Sequence, residues 1–267
     1  MTWTELAGGV YLRRNEELDL TTGLVLGQSR CLVIDTGGDV DQGTELAAAV
    51  RELTDLPWAV VYTHAHFDHS FGTTAFLPCE VWAHRLCRPE LIEHGETAKA
   101  TWAARYLEEG KPGIADALGR TEIVPPERLV TTREELDLGG RTAVLVHPGP
   151  AHTGHDLVVH VPDAGIVFAG DVVEHGPDGF TTGSFGDEND LPGWPVALDA
   201  ILALEPRIVV PGHGDAVEPG FVREHREGLR RLNELKAAVQ TGKTGLDEAL
   251  MASPYPADVT RAALATP

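Results

Sequence analysis

The sequence predicts an α/β protein, and three observations carry that prediction. Short apolar runs bounded by glycine and polar turns recur in the first third of the chain and again from residue 127 to 215, as strands do. Other stretches place apolar residues at helical spacing, as Val40, Leu46, Val50 and Leu53 do. In the first third, strand, helix and strand follow one another, which is the order of an α/β sheet.

Taken in order, GGVYLRR and TGLVLGQ read as strands, and CLVIDTGG as a buried strand ending in a glycine turn. VDQGTELAAAVREL follows as a helix, then LPWAVVYT as another apolar strand. From His84 to about Gly119 the spacing predicts helix, with Trp102, Tyr106 and Leu107 as apolar contacts, and Pro125 and Pro126 end it. ERLVTT, RTAVLVHPG, HDLVVHVP and GIVFAGDVV are further strands. A loop rich in Gly, Asp and Pro is expected from Glu174 to Pro192. WPVALDAILALE then reads as a helix with Pro195 in its first turn, RIVVPGHGD as a last short strand, and the chain from Pro219 as charged helix. No repeat, low-complexity tract or long linker divides the sequence. Residues 1–267 are therefore expected to form one domain, with the helical stretch at about 84–119 inserted over one end of the sheet.

Composition narrows the partners. The chain has 41 acidic and 21 basic residues, a formal charge of −20, so it offers little to a phosphate backbone or an anionic membrane surface. No nucleic-acid or membrane partner is expected, and the apolar runs are too short to span a bilayer. The first residues, MTWTELAGGV, lack a basic segment followed by an apolar one, and the three cysteines, Cys31, Cys79 and Cys87, fit no zinc knuckle or redox pair. The expected location is the cytoplasm, with reduced thiols and a small-molecule substrate.

The chemistry concentrates at VYTHAHFDHS, where His64, His66, Asp68 and His69 fall within six residues of a chain that has twelve histidines. A core has no use for such a cluster, because each group would need its own buried partner. Imidazole and carboxylate are the ligands of Zn²⁺ and related ions. His64 and His66, two apart in extended chain, project to the same side. His152, Asp171 and His213 each stand where another apolar run gives way to glycine. Several strand ends carrying such residues point to one shared site.

THAHFDH, the His of PAHTGHD, the Asp of FAGD and the His of PGHG resemble, in order and spacing, the motif series of the metallo-β-lactamase superfamily. The resemblance implies a four-layer αββα sandwich with two metal ions at one edge. It implies that His64, His66 and His152 hold the first ion, that Asp68, His69 and His213 hold the second, and that Asp171 bridges them. Asp35 of VIDTG resembles an acid that supports a ligand from behind, and His155 and His175 are further candidates for that supporting layer. Two zinc ions per chain are expected, with iron or manganese as alternatives.

The implied function is that of a dinuclear hydrolase, in which a metal-bridging hydroxide attacks the carbonyl of a small ester, thioester, lactone or amide and Asp68 handles the proton. Two alternatives stay open. A mononuclear iron dioxygenase acting on persulfides would leave the second set of ligands unused. A β-lactamase would usually lack the bridging aspartate that Asp171 supplies. Glutathione thioesters are disfavoured by PGHGDAVEPG, which departs from the longer Cys-Gly-His-Glu-Tyr segment of glyoxalase II enzymes.

Overall fold

A computed structural model describes residues 2–176 and 179–266. The first sheet has seven strands arranged in chain order: β1 (Thr4–Ala7), β2 (Val10–Arg14), β3 (Thr21–Leu26), β4 (Cys31–Ile34), β5 (Trp58–Val61), β6 (Glu80–His84) and β7 (Arg128–Val130). β1 to β4 run antiparallel, and β4 to β7 run parallel. Parallel neighbours need crossovers, and these are helical. α1 (Val40–Leu53) links β4 to β5, the short α2 (Phe67–Ser70) lies between β5 and β6, and α3 (Cys87–Glu108) with α4 (Pro112–Arg120) links β6 to β7.

The second sheet has the order β12-β11-β10-β9-β8, from β8 (Arg133–Asp137), β9 (Thr142–Val146), β10 (Val158–Val161), β11 (Ile166–His175) and β12 (Ile208–Gly214). Only β11 and β12 are parallel, joined through α5 (Trp194–Leu202). α6 (Pro219–Gln240), α7 (Leu246–Ala252) and α8 (Ala257–Ala265) complete the chain. Among the described residues no helix is long and apolar enough to cross a membrane.

Strand alternation explains the layering. In β4, Leu32 and Ile34 enter the core between the sheets, while Cys31 and Val33 pack under α1. In β11, Ile166 and Phe168 face the same inner core, while Val167 and Ala169 meet Trp194 and Leu198 of α5. Both faces of each sheet are thus covered, and that is why these strands read as unbroken apolar runs. The result is the αββα sandwich that the motif series implies.

Three details differ from the sequence reading. His84 closes β6 instead of opening a helix, because residues 80–84 pair with β5 and β7 and bury Val81 and Ala83. β8, REELD, was not anticipated as a strand: it is an edge with four exposed charged positions and only Leu136 buried. β11 runs on to His175, into the expected loop, and a 3-10 turn forms at Thr182–Ser184. Residues 177 and 178 of that loop lie outside the described residues.

Candidate metal centre

The candidate ligands gather at one edge of the sandwich, and both sheets contribute. His64 and His66 follow β5, and Asp68 and His69 sit in α2. His152 lies between β9 and β10, while Asp171 and His213 are carried by β11 and β12. Their donor atoms form two groups, one of His64, His66, His152 and Asp171 and one of Asp68, His69 and His213, each with all its donors within 4.8 Å of one another. Asp171 reaches both. Its Oδ2 is 3.7 Å from His64 Nε2, 3.6 Å from His152 Nε2 and 3.3 Å from His213 Nε2, and its Oδ1 is 3.2 Å from His69 Nε2. Asp68 Oδ2 stands 3.3 Å from His213 Nε2 and 3.5 Å from His69 Nε2.

These spacings suit shared ions. Donors bound at the usual zinc distances around one tetrahedral ion stand about 3.3 Å apart. His64 Nε2, His69 Nε2 and Asp171 Oδ1 are buried and find no hydrogen-bond partner among the described residues. Three orphaned polar atoms gathered at one point are costly unless a cation satisfies them. The residues therefore fit a metal centre with nitrogen and oxygen ligands.

The other side of the imidazole is held in place in His69, His64 and His213. His69 Nδ1 donates to Asp35 Oδ2 at 2.8 Å. Asp35 also accepts from Thr63 N and Thr63 Oγ1, both at 2.8 Å. It adopts φ +61, a left-handed conformation uncommon outside glycine, and these three hydrogen bonds hold it there. Thr63 Oγ1 in turn lies 3.1 Å from His64 Nδ1, and His213 Nδ1 donates to Leu18 O at 2.8 Å. Each of these contacts takes the Nδ1 proton and leaves Nε2 free for an ion. His66 is turned the other way. Its Nε2 meets Glu188 Oε1 at 2.6 Å, and its Nδ1 lies 3.0 Å from His152 Nε2.

The charged groups of the pocket act strongly on one another. Burial works against charge on Asp171, yet His213, His69 and His64 hold its carboxyl well below the usual range. Burial likewise opposes charge on His69, but Asp171, Asp68 and Asp35 raise it well above the ordinary imidazole value. His64 is lowered well below that value, and His152 to about 4, in both cases chiefly by burial. A buried neutral imidazole is the form that binds a metal.

Glycine makes room for this packing. A Cβ on Gly212 would lie 1.9 Å from Asp171 Oδ1, and one on Gly214, at φ +95, would lie 1.6 Å from His175 O. The open side is a cleft of about 530 Å³, with Phe67, Trp102 and Leu18 as apolar wall and Asp68, Asp171 and His213 as floor. Trp102 of α3 stacks on Phe67 with ring centres 4.2 Å apart. It therefore both packs as a core contact and borders the cleft, whereas Tyr106 is buried behind it.

His155 and His175 stand differently from Asp35. His155 is buried, with its Nδ1 2.9 Å from Thr153 Oγ1, and His175 packs edge-on against Phe221 at 4.9 Å. His84 stacks on His147 at 4.2 Å, and neither borders the cleft. Two acids that the sequence reading missed, Glu174 and Glu188, do border it. Nothing local in the sequence marks Glu188. Glu174 was assigned to a loop, and its position three residues after Asp171 would in a regular strand turn it to the opposite face, so no local signal marks it either.

Comparison with known proteins agrees with this arrangement. A model of the metallo-beta-lactamase superfamily matches residues 19–213. The chain is 26% identical to a linear primary-alkylsulfatase of Pseudomonas sp. over 75% of its own length and 42% of that protein's. It is 29% identical to the acyl-coenzyme A thioesterase MBLAC2 of Homo sapiens, over 57% of its own length and 58% of the relative's. The chain thus spans only about half the length of these relatives. Among solved structures, a metallo-beta-lactamase from Pontibacter korlensis superposes with a TM-score of 0.67 at 19% identity, covering 85% of this chain and 98% of that one. That likeness is one of fold. A family model over most of the chain, a matching sandwich and a converged set of His and Asp residues agree: the chain belongs to the metallo-beta-lactamase superfamily.

Proposed function

We propose that this metallo-hydrolase holds two zinc ions and cleaves a small ester, thioester, lactone or amide. The observation that carries the reading is Asp171, whose two oxygens face His69 on one side and His64, His152 and His213 on the other. His64, His66 and His152 would hold one ion, Asp68, His69 and His213 the other, and Asp171 both. Bound there, two dications supply Lewis acidity and bring the pKa of water towards neutrality.

The chain's own residues do the rest. Asp35, Glu188 and Leu18 O fix the orientations of His69, His66 and His213. The Asp68 carboxylate, on the cleft floor, takes a proton from the attacking water and returns it to the leaving group. Phe67 and Trp102 seat the organic part of the substrate and keep bulk water from the carboxylates. The similarity to an acyl-coenzyme A thioesterase supports including thioesters in the substrate class.

The test is elemental analysis of gently purified protein, followed by a panel of lactones, thioesters and β-lactams. The expected content is about two zinc ions per chain. About one iron per chain, with oxygen uptake on persulfides, would replace this reading with a dioxygenase. Asp68→Ala is expected to abolish turnover, and full metal content with full activity in that variant would refute its role.

A further inference from the structure

Glu174 is a buried carboxyl that the metal centre leaves unassigned. It is 5% exposed and borders the cleft beside Asp68, Asp171 and His213. Its orientation comes from an irregularity in β11. Gly170 pairs with Pro211 and Glu174 with His213, so four steps along β11 match two along β12. In a regular strand, residues three apart face opposite sides. The bulge turns Asp171 and Glu174 into the same cleft.

One oxygen of the carboxyl is fixed and the other is free. Glu174 Oε2 accepts from Ser184 Oγ at 2.6 Å, and Ser184 Oγ accepts from Thr181 N at 2.9 Å within the capping box of the 3-10 turn. Glu174 Oε1 is buried with no hydrogen-bond partner among the described residues. A rigid carboxyl satisfied on one side and buried unpaired on the other is an unfavourable arrangement that a ligand's donor, reaching it from the cleft, would complete. Apart from the ions that the metal centre would hold, the described lining of the cleft offers no unpaired Lys or Arg. Arg105 is the sole Lys or Arg among its described lining residues, and it is tied to Glu109 at 2.9 Å.

We infer that Glu174 is a specificity-determining residue: its Oε1 accepts a hydrogen bond from a donor group of the substrate, best an ammonium, and its carboxyl repels a substrate carboxylate at that position. This rests on the hydrolase reading above and adds the kind of substrate. Penicillin-type substrates, whose fused ring carries a carboxylate, are accordingly poor ones.

The test uses metal-replete protein at pH 9, above the value of about 8 to which burial and the neighbouring Asp171 raise the Glu174 carboxyl, and three p-nitrophenyl esters of equal chain length, those of 6-aminohexanoic acid, hexanoic acid and adipic acid. The wild type is expected to prefer the ammonium ester over the alkyl ester, and the alkyl ester over the carboxylate one. In Glu174→Gln the ratio of kcat/KM between the ammonium and alkyl esters falls by about 10- to 100-fold, mainly through KM, as loss of a hydrogen bond to a charged group does. Metal content measured on both proteins separates loss of a substrate contact from loss of the ions. No preference in the wild type, or a preference that survives in Glu174→Gln, overturns the inference. If no ester is hydrolysed, the hydrolase reading fails, and titration calorimetry of 6-aminohexanamide against hexanamide decides the role of Glu174. Tighter binding of the ammonium compound that disappears in the Gln variant sustains it, and equal binding overturns it.

Discussion

At the residue scale, Asp35 ties the metal loop to the sheet beneath it. It is 1% exposed and accepts from Thr63 N, Thr63 Oγ1 and His69 Nδ1. Asp35→Ala would free the His69 ring and leave the Thr63 amide unpaired. The expected outcome is a metal affinity lower by about 10- to 100-fold, read by competition with a chelator of known strength. Gly212 poses the opposite problem, since it stands where any side chain collides with Asp171. Gly212→Ala is expected to lose metal and about 1–3 kcal/mol of stability, measured by urea unfolding. Wild-type metal content in that variant would show that β12 can shift away without cost. The candidate ligands were legible in the sequence because THAHFDH puts three of the twelve histidines and an aspartate within six residues. Glu174 and Glu188 were not, because each depends on contacts made far along the chain, with His213 across the sheet and with His66 in the metal loop.

At the element scale, α6 carries a pH-sensitive group remote from the metal loop. His225 is 6% exposed, stacks with Phe180 and Phe221, and leaves Nε2 without a partner among the described residues. Burial, with a smaller contribution from His175, lowers its pKa to about 3. The unfolded chain, with an imidazole near its ordinary value, therefore binds a proton that the fold refuses between those two values. The stability is intact above about pH 6.5 and falls as the pH drops towards 3, by at most about 1.4 kcal/mol per pH unit for this group. Urea unfolding between pH 7 and 4 is expected to show the decline, and His225→Leu to make it shallower, the remainder coming from other buried histidines such as His84 and His155. Identical slopes in the two proteins would assign the decline elsewhere. The elements themselves were readable where both faces are buried, as in β4, β5 and β11. Those stabilised by pairing partners were not: β6 is too short to stand out and only its last residue, His84, was read, as the start of a helix, and β8 has a single buried side chain. Period and composition report the burial of a segment, and such strands depend on their neighbours instead.

At the scale of the whole molecule, the candidate ligands draw on two separately built halves. The first sheet supplies Asp35 and residues 64–69, and the second supplies His152, Asp171 and His213. Removing metal with a chelator is expected to lower Tm and adding zinc to restore it, because an ion that binds only the folded chain stabilises it by mass action. Scanning calorimetry checks this, and an unchanged Tm would mean that the sandwich holds without the ions. The division between the sheets also has a consequence in time. A half formed alone presents no complete set of ligands, so the ion gains its contacts only after the sheets have met, late on the route to the native state. Interactions absent from the transition state slow escape from the native state and leave the approach to it unaltered. Zinc is therefore expected to act as a latch: stopped-flow traces with and without it should share one refolding limb and diverge on the unfolding limb, making the loaded enzyme long-lived more than quick to form.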